Sequence, residues 1–305
     1  VSTLEVDSGV GKSLGSSGVV TEAFVVAKRA ELVSDNTVRV YRWALNHLPP
    51  EPWTTTVIQQ AYVDYGGRMA GQSICNLDQV WRTFFAWLEG FNGHVNPMAK
   101  VKKPRRPRQL VRIFSDLELV NICKACEIPR DRALVALLIG TGLRLAEVSA
   151  LTWRDFDGGR VTVQRGKGQK GRTVFMDTVS KLPFAERQTL PEVLAALRVT
   201  MPRDKWDHGF LSLWQGPSGP IGYKAVTASI SRIVANAGIS GKKRGAHTFR
   251  HTYATMYLRA GGSLWALQQQ LGHSDIETTM GYPKLVARDI ESDVNKTKML
   301  AVINV

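Results

Sequence analysis

KVKKPRRPRQLVR, residues 100–112, holds seven basic residues, two prolines and no acidic residue. Pro104 and Pro107 lack an N–H and restrict the residue before them, so the stretch cannot be one continuous helix. A break in helical pattern that is also the most basic part of the chain reads as a linker between two domains. Its charge can be incidental to a solvated connector. It can also track a phosphate backbone, each Lys or Arg releasing counterions. The coincidence of boundary and charge favours the second reading, which makes Lys100, Lys102, Lys103, Arg105, Arg106 and Arg108 candidate DNA-binding residues.

Upstream of this stretch the pattern is helical. Apolar residues recur at helical spacing over 21–33, 36–48, 54–65 and 73–88. Asp35 or Asn36 is the candidate cap of the second segment, and Gly66-Gly67 closes the third. Ile74, Leu77, Val80, Trp81, Phe84, Phe85 and Leu88 give the fourth a wide apolar face. Four helices in about eighty residues predict a small all-helical domain whose aromatics are core rather than base-stacking platforms. Residues 1–18 are small, polar and glycine-rich, the composition of a flexible tail. The GVGKS at 9–13 imitates a phosphate loop, but Val6 stands where that loop needs its first glycine.

Downstream, Ser115 and Glu118 have capping-box spacing before an apolar helix that carries Cys123 and Cys126. With no second cysteine pair, and a predicted mid-helix position, both read as packing residues. Residues 132–151 are strongly apolar and interrupted at Gly140-Thr-Gly142. RVTVQR (160–165) and RTVFM (172–176) alternate in β fashion around GKGQKG (166–171), which predicts a hairpin. GKGQKG satisfies a dinucleotide fingerprint by letter. That fingerprint needs a strand, a glycine turn and then a helix, whereas two strands flank this loop. Further helices are expected over 190–199, 225–237, 248–260 and 263–271, and a helical segment from 283 ending in an apolar tail. The predicted fold is mainly α with a small β-hairpin or sheet in the second domain.

The chain has 305 residues and a formal net charge of +14. Its 44% hydrophobic and 22% charged composition is that of a globular protein, which excludes wholesale disorder. No apolar run approaches the length of a membrane span, and no secretory signal is read at the amino terminus. Three cysteines make no disulfide framework, which fits a reducing, cytoplasmic setting. An excess of positive charge on an ordinary globular composition points to a polyanion, most simply nucleic acid.

Four separated segments hold residues that make sense together for phosphoryl transfer. They are TGLRLAE (141–147), GKG (166–168), HTFRH (247–251) and the run from LGH (271–273) to TTMGY (278–282). Charge on the non-bridging oxygens of a phosphate in its transition state needs preorganised donors. Arg144 and Arg250 suit this, because the guanidinium fork matches phosphate. Tyr282 can be the nucleophile, and Lys167 on a hairpin loop can protonate the departing 5′ oxygen. His247 and His273 can donate to phosphate oxygens or take the tyrosine proton. His247 and His251 lie four apart, as zinc ligands do, but Thr248 stands where the zinc-protease pattern needs Glu. No metal is expected, and His251 reads as a packing or hydrogen-bonding residue.

Together these segments resemble the tyrosine recombinase (phage integrase) family over about residues 115–284. The helical domain and basic linker resemble that family's core-binding domain, and the short amino terminus is most like the two-domain Xer-type members. The resemblance implies a tail at 1–18, a core-binding domain at 19–99, a linker at 100–112 and a catalytic domain at 113–305. It implies Arg144, Lys167, His247, Arg250, His273 and Tyr282 as catalytic residues, Glu147 as the carboxylate orienting Arg144, and Lys170 as a substitute for Lys167. The implied activity is site-specific DNA recombination through a 3′-phosphotyrosyl link, without metal, ATP or other cofactor. The implied partners are double-stranded DNA, a second copy on each site, four copies in synapsis, and an accessory protein or second recombinase where one is required. No membrane is involved, and the implied location is the cytoplasm, with the nucleoid.

Pro283 and Lys284 depart from the family pattern, in which Thr or Ala and then His follow the tyrosine. Proline favours the first position of a helix, which predicts Tyr282 at a helix cap with Gly281 as hinge. The apolar end, 299–305, can pack on its own domain or on a neighbouring subunit, and both stay open. Competing readings are type IB topoisomerase-like strand relaxation, a DNA-binding protein that relies on a partner recombinase, and a basic structural protein. The full set of six catalytic roles counts against the DNA-binding reading, and the helical domain and family spacing favour recombination over relaxation.

Overall fold

A computed structural model describes residues 17–105, 111–164, 171–201, 213–216, 219–241 and 245–272. The chain separates into two compact units, Val1–Gln109 and Leu110–Val305.

The described part of the first unit is built on four helices: α1 (Ser17–Ala30), α2 (Asp35–Leu45), α3 (Thr55–Gly66) and α4 (Gly71–Asn92). Ser34 caps α2, its Oγ accepting from the Thr37 N–H at 3.2 Å. Asp35 and Asn36, expected as caps, lie inside the first turn instead. A serine one position earlier makes the same bond and leaves Asp35 to meet the positive end of the helix. α4 is the spine, because its wide apolar stripe needs neighbours on several sides: Leu77, Trp81, Phe84, Phe85 and Leu88 are fully buried. Trp81 Nε1 donates to the Ala44 carbonyl at 2.8 Å, pinning α2 to α4. A 3-10 turn at Pro97–Lys100 follows.

Arg82 fastens the departing chain. Its Nη1 donates to Met98 O at 2.9 Å and its Nη2 to Val101 O at 2.7 Å, while its Nε meets Asp78 at 3.0 and 3.1 Å. The basic stretch thus leaves the bundle from a fixed point, with Lys100, Lys102, Lys103 and Arg105 exposed and Val101 buried between them. Arg106 and Arg108 lie outside the described residues.

The second unit begins with α5 (Asp116–Lys124), held by the expected capping box: Ser115 N donates to Glu118 Oε2 at 2.9 Å and Glu118 N to Ser115 Oγ at 3.2 Å. Cys123 lies in this helix, whereas Cys126 falls just past its C-cap, Ala125. Both thiols are buried, and burial pushes the Cys123 thiol up to about 12. α6 (Pro129–Thr141) is apolar on all sides after its charged first turn, and Ala133 through Leu138 are all buried, so it is the central helix of this core. It packs against α8 (Leu190–Val199), α9 (Tyr223–Asn236) and α10 (Ala246–Arg259). Between them lie the short α7 (Leu145–Ala150) and an antiparallel sheet of β1 (Phe156–Asp157), β2 (Arg160–Val163) and β3 (Arg172–Phe175). Val161 faces Val174, and Val163 faces Arg172, across β2 and β3. The pair β4 (Gln215–Gly216) and β5 (Gly219–Pro220) adds a second small sheet, and α11 (Leu264–Leu271) closes the described part. Among the described residues no helix is long and apolar enough to cross a membrane.

Candidate active site

The TGLRLAE segment is a helix end, a turn and a helix start. α6 stops because Gly142 adopts a left-handed conformation, φ +65°. Only glycine fits, since a Cβ there would stand 2.3 Å from Tyr253 Cδ1. Leu143 is buried, and Arg144 turns extended as the N-cap of α7. Glu147, three residues on, reaches back in two ways. Its Oε2 accepts from the Arg144 N–H at 2.8 Å, and its Oε1 accepts from Arg144 Nη1 at 3.0 Å. The spacing Arg-x-x-Glu therefore holds the arginine by its backbone and its side chain at once, as capping carboxylates do at a helix start.

A second arginine meets the same carboxylate. Arg172, the first residue of β3, donates Nη1 to Glu147 Oε1 at 2.8 Å and Nη2 to Oε2 at 2.9 Å. The Glu147 side chain is only 4% exposed. Burial alone would raise its pKa. The hydrogen bonds from Arg172 and from the Arg144 backbone, together with both guanidinium charges, overcome that and hold the carboxyl below its ordinary value.

Arg250 is buried in α10 and bridges two helix ends. Its Nη1 donates to Gly142 O at 2.9 Å, where α6 stops, and its Nη2 to Leu271 O at 2.6 Å, where α11 stops. Carbonyls at a helix C-terminus lack intrahelical partners and carry the negative end of the helix dipole, so two such ends make a fitting seat for a guanidinium. Arg250 thereby holds the carbonyl of Gly142, two positions before Arg144 in the same loop.

His247 is exposed in the first turn of α10, three residues before Arg250, and so shares its face of the helix. The His251 ring lies 6.5 Å from that of His247. Burial, then His247 and Arg250, lower the His251 pKa, which keeps it neutral at neutral pH. Tyr253, in the same unit, is a poor nucleophile because burial pushes its phenol up to about 12.

The structure thus brings together Arg144, Glu147 and Arg250, with His247 on the helix that carries Arg250. Lys167, Lys170, His273 and Tyr282 lie outside the described residues, as do the expected helix cap at Tyr282, the hinge at Gly281 and the apolar end at 299–305. The described elements lead to two of these: β2 and β3 flank the segment that carries Lys167, and His273 follows Gly272 at the end of α11. Among the described residues no group of three or more His, Cys, Asp or Glu side chains is arranged to hold a metal. Arg172 and Gln270 were not singled out from the sequence. Arg172 opens its β segment just as Arg160 opens the one before it, so the local pattern does not mark it out.

The phage integrase family pattern matches residues 113–288. The chain belongs to that family. Tyrosine recombinase XerC of Xanthomonas campestris pv. campestris (strain B100) is 34% identical over 216 residues, which cover 67% of this chain and 61% of that protein. Tyrosine recombinase XerA of Pyrococcus furiosus is 28% identical over 287 residues, covering 92% of this chain and 94% of that one. A lambda integrase dimer bound to a COC' core site aligns with a TM-score of 0.70 at 16% identity, over 87% of this chain and 76% of that one. That likeness establishes the fold: helical units with a small antiparallel sheet.

Proposed function

We propose that the chain is a site-specific DNA recombinase that cuts and rejoins strands through a tyrosine. The observation that carries this reading is the meeting of Arg144 and Arg250 around the Gly142 loop, each held by groups that preset its position. A phosphodiester in its transition state gathers charge on its non-bridging oxygens, and donors already oriented for it need no reorganisation at the moment of reaction. Family membership, the net charge of +14 and the exposed basic run from Lys100 to Arg105 support DNA as the substrate.

In the proposed reaction the Tyr282 oxygen attacks phosphorus, forming a tyrosyl phosphodiester while the bond to the 5′ oxygen breaks. The tyrosine proton passes to His247 or His273, and Lys167 supplies a proton to the departing 5′ oxygen. Arg144 and Arg250 hold the non-bridging oxygens throughout. A 5′ hydroxyl from a partner strand reverses these steps and frees the tyrosine. Each ester bond broken is matched by one formed, so neither ATP nor a metal ion is required. A duplex has two strands and an exchange joins two duplexes, so four copies act in synapsis, two on each site. The lambda integrase dimer on its core site is a precedent for the paired arrangement. The proposed location is the cytoplasm, on DNA.

The test is strand exchange between two duplexes of different length, each carrying the DNA that flanks this gene and one of them end-labelled. Recombinant-length product supports the proposal. Relaxation of supercoils with no exchanged product would assign a topoisomerase-like activity instead, and salt-sensitive binding with neither reaction would assign a binding role that depends on a partner recombinase.

A further inference from the structure

Glu147 stands between two arginines, and only Arg144 has a part in the reaction as proposed. Three observations converge on the other one. The first is geometric: Arg172 takes the carboxylate with both Nη atoms, at 2.8 and 2.9 Å, whereas the Arg144 side chain reaches it through Nη1 alone, at 3.0 Å. The second is the close approach of α11. Arg172 Nε faces Gln270 O at 3.4 Å, and a Cβ on Gly272 would stand 2.8 Å from that Nε. A glycine at 272 therefore leaves the guanidinium its room. The third is the far end of the same strand. The Gln270 side chain accepts from Phe175 N at 3.1 Å and donates to Phe175 O at 2.6 Å, completing the edge of β3 as a neighbouring strand would. β3 is therefore fastened to the end of α11 at both its first and its last residue.

These ties matter because of what adjoins them in the chain. The segment that carries Lys167 runs directly into Arg172, and Gly272 leads directly into His273. We propose that Arg172 is a positioning residue of strand cleavage: it occupies the fork of the Glu147 carboxylate, so that Arg144 stays available to phosphate, and it ties the start of β3 to the end of α11. This inference rests on the recombinase reading. The charge balance supports it. A carboxylate paired with one arginine forms a neutral bidentate unit that competes with phosphate for that arginine. With Arg172 in the fork, the trio keeps one net positive charge, and Arg144 is oriented through its backbone N–H and a single side-chain contact. Among the described residues the charged groups acting on Glu147 are Arg172 and Arg144.

The experiment measures the rate of covalent protein–DNA adduct formation on supercoiled plasmid carrying the DNA that flanks this gene. It compares wild type, R172A, R172K, E147Q and R172A/E147Q, with Y282F as the blank, and takes DNA affinity and melting temperature for each. The expectation is that R172A cleaves about a hundredfold more slowly at unchanged DNA affinity, the scale of a small misplacement of reacting groups. R172K keeps the charge but not the fork and falls between. R172A/E147Q is no slower than R172A, because the carboxylate that would capture Arg144 is gone. R172A also cleaves faster relative to wild type as pH falls, because the buried Glu147, without its main partner, protonates more readily and releases Arg144, which gives its pH–rate profile a limb that wild type lacks. The double variant lacks that limb, and a merely structural role for Arg172 would not produce this difference. Should R172A not fold, R172K against R172K/E147Q carries the same comparison. Wild-type cleavage by R172A, or a double variant slowed by the product of the two single losses, overturns the proposal alone. No adduct from wild type overturns the recombinase reading and this inference with it.

Discussion

Replacing Gly142 with Ala should unfold the second unit at a lower temperature, while the same replacement at Gly90 should not. Gly142 sits at φ +65°, where a residue with a Cβ costs about 1–2 kcal/mol. The new methyl would meet the Tyr253 ring at 2.3 Å from Cδ1 and 2.9 Å from Cε1 and Cγ. Ordinary carbon contacts lie at about 3.5–4.0 Å, so ring or loop must move by about 1 Å, an overpacking that costs about 1–3 kcal/mol. The two terms together give about 2–5 kcal/mol, or a fall of about 4–20 °C in the melting temperature of a unit this size. Any movement of the loop also shifts the Gly142 carbonyl that holds Arg250, so strand cleavage should fall as well. Gly90 is the control: it lies exposed within α4 with nothing within 4 Å of a built Cβ. Alanine there should add about 1 kcal/mol of helix stability. Differential scanning calorimetry of both variants decides the matter. A G142A protein that melts with wild type would refute the argument that this glycine is required by its turn and its neighbour.

Losing either Arg144 or Arg250 should slow adduct formation by about 10²–10³, the cost of one preorganised donor. R250A should in addition lower the melting temperature, because two helix-end carbonyls lose their donor, and equal melting of the two variants would contradict that difference. Changing Lys100, Lys102 and Lys103 to Gln should lower the slope of log affinity against log salt by about 3 and weaken binding to all sequences alike. A loss confined to one sequence would mean that these residues read bases. Glu147 has a folded pKa below its unfolded value of about 4.3, so its contribution to stability is complete above that value and disappears as pH falls through the folded one. The stability gap between wild type and E147Q should therefore stay constant above the unfolded value of about 4.3 and narrow as pH falls below it, as read by urea unfolding, and a gap that widens on acidification would reverse the sign of the argument.

Where local chemistry decides structure, the sequence was legible. The Ser115 capping box, the helix at 190–199 and the break at Gly142 follow from residues within a few positions of one another, and all are present. The paired strands around GKGQKG follow from alternation alone, whereas β1 is two residues long and has no period to read. Cap positions moved by one residue where two candidates competed, as when Ser34 displaced Asp35. In the site, TGLR-x-x-E carries its own explanation, because Glu147 lies within reach of Arg144 on the next turn. Arg172 does not: it meets Glu147 across 25 positions of chain and Gln270 across 98, and only the packing of β3 against α11 reveals those partners. Arg250 was read as a phosphate donor, and its seat on two helix ends was invisible for the same reason.

The most direct measurement of the central claim is the identity of the residue that becomes attached to DNA. The protein would be incubated with supercoiled plasmid carrying the DNA that flanks this gene, denatured, treated with nuclease and trypsin, and analysed by mass spectrometry. Cleavage after Arg259 and Lys284 leaves residues 260–284 as one peptide, in which Tyr282 is the single tyrosine. The account predicts a nucleotide on this peptide from wild type and none from Y282F. A nucleotide on any other peptide, or an undiminished adduct in Y282F, would contradict it.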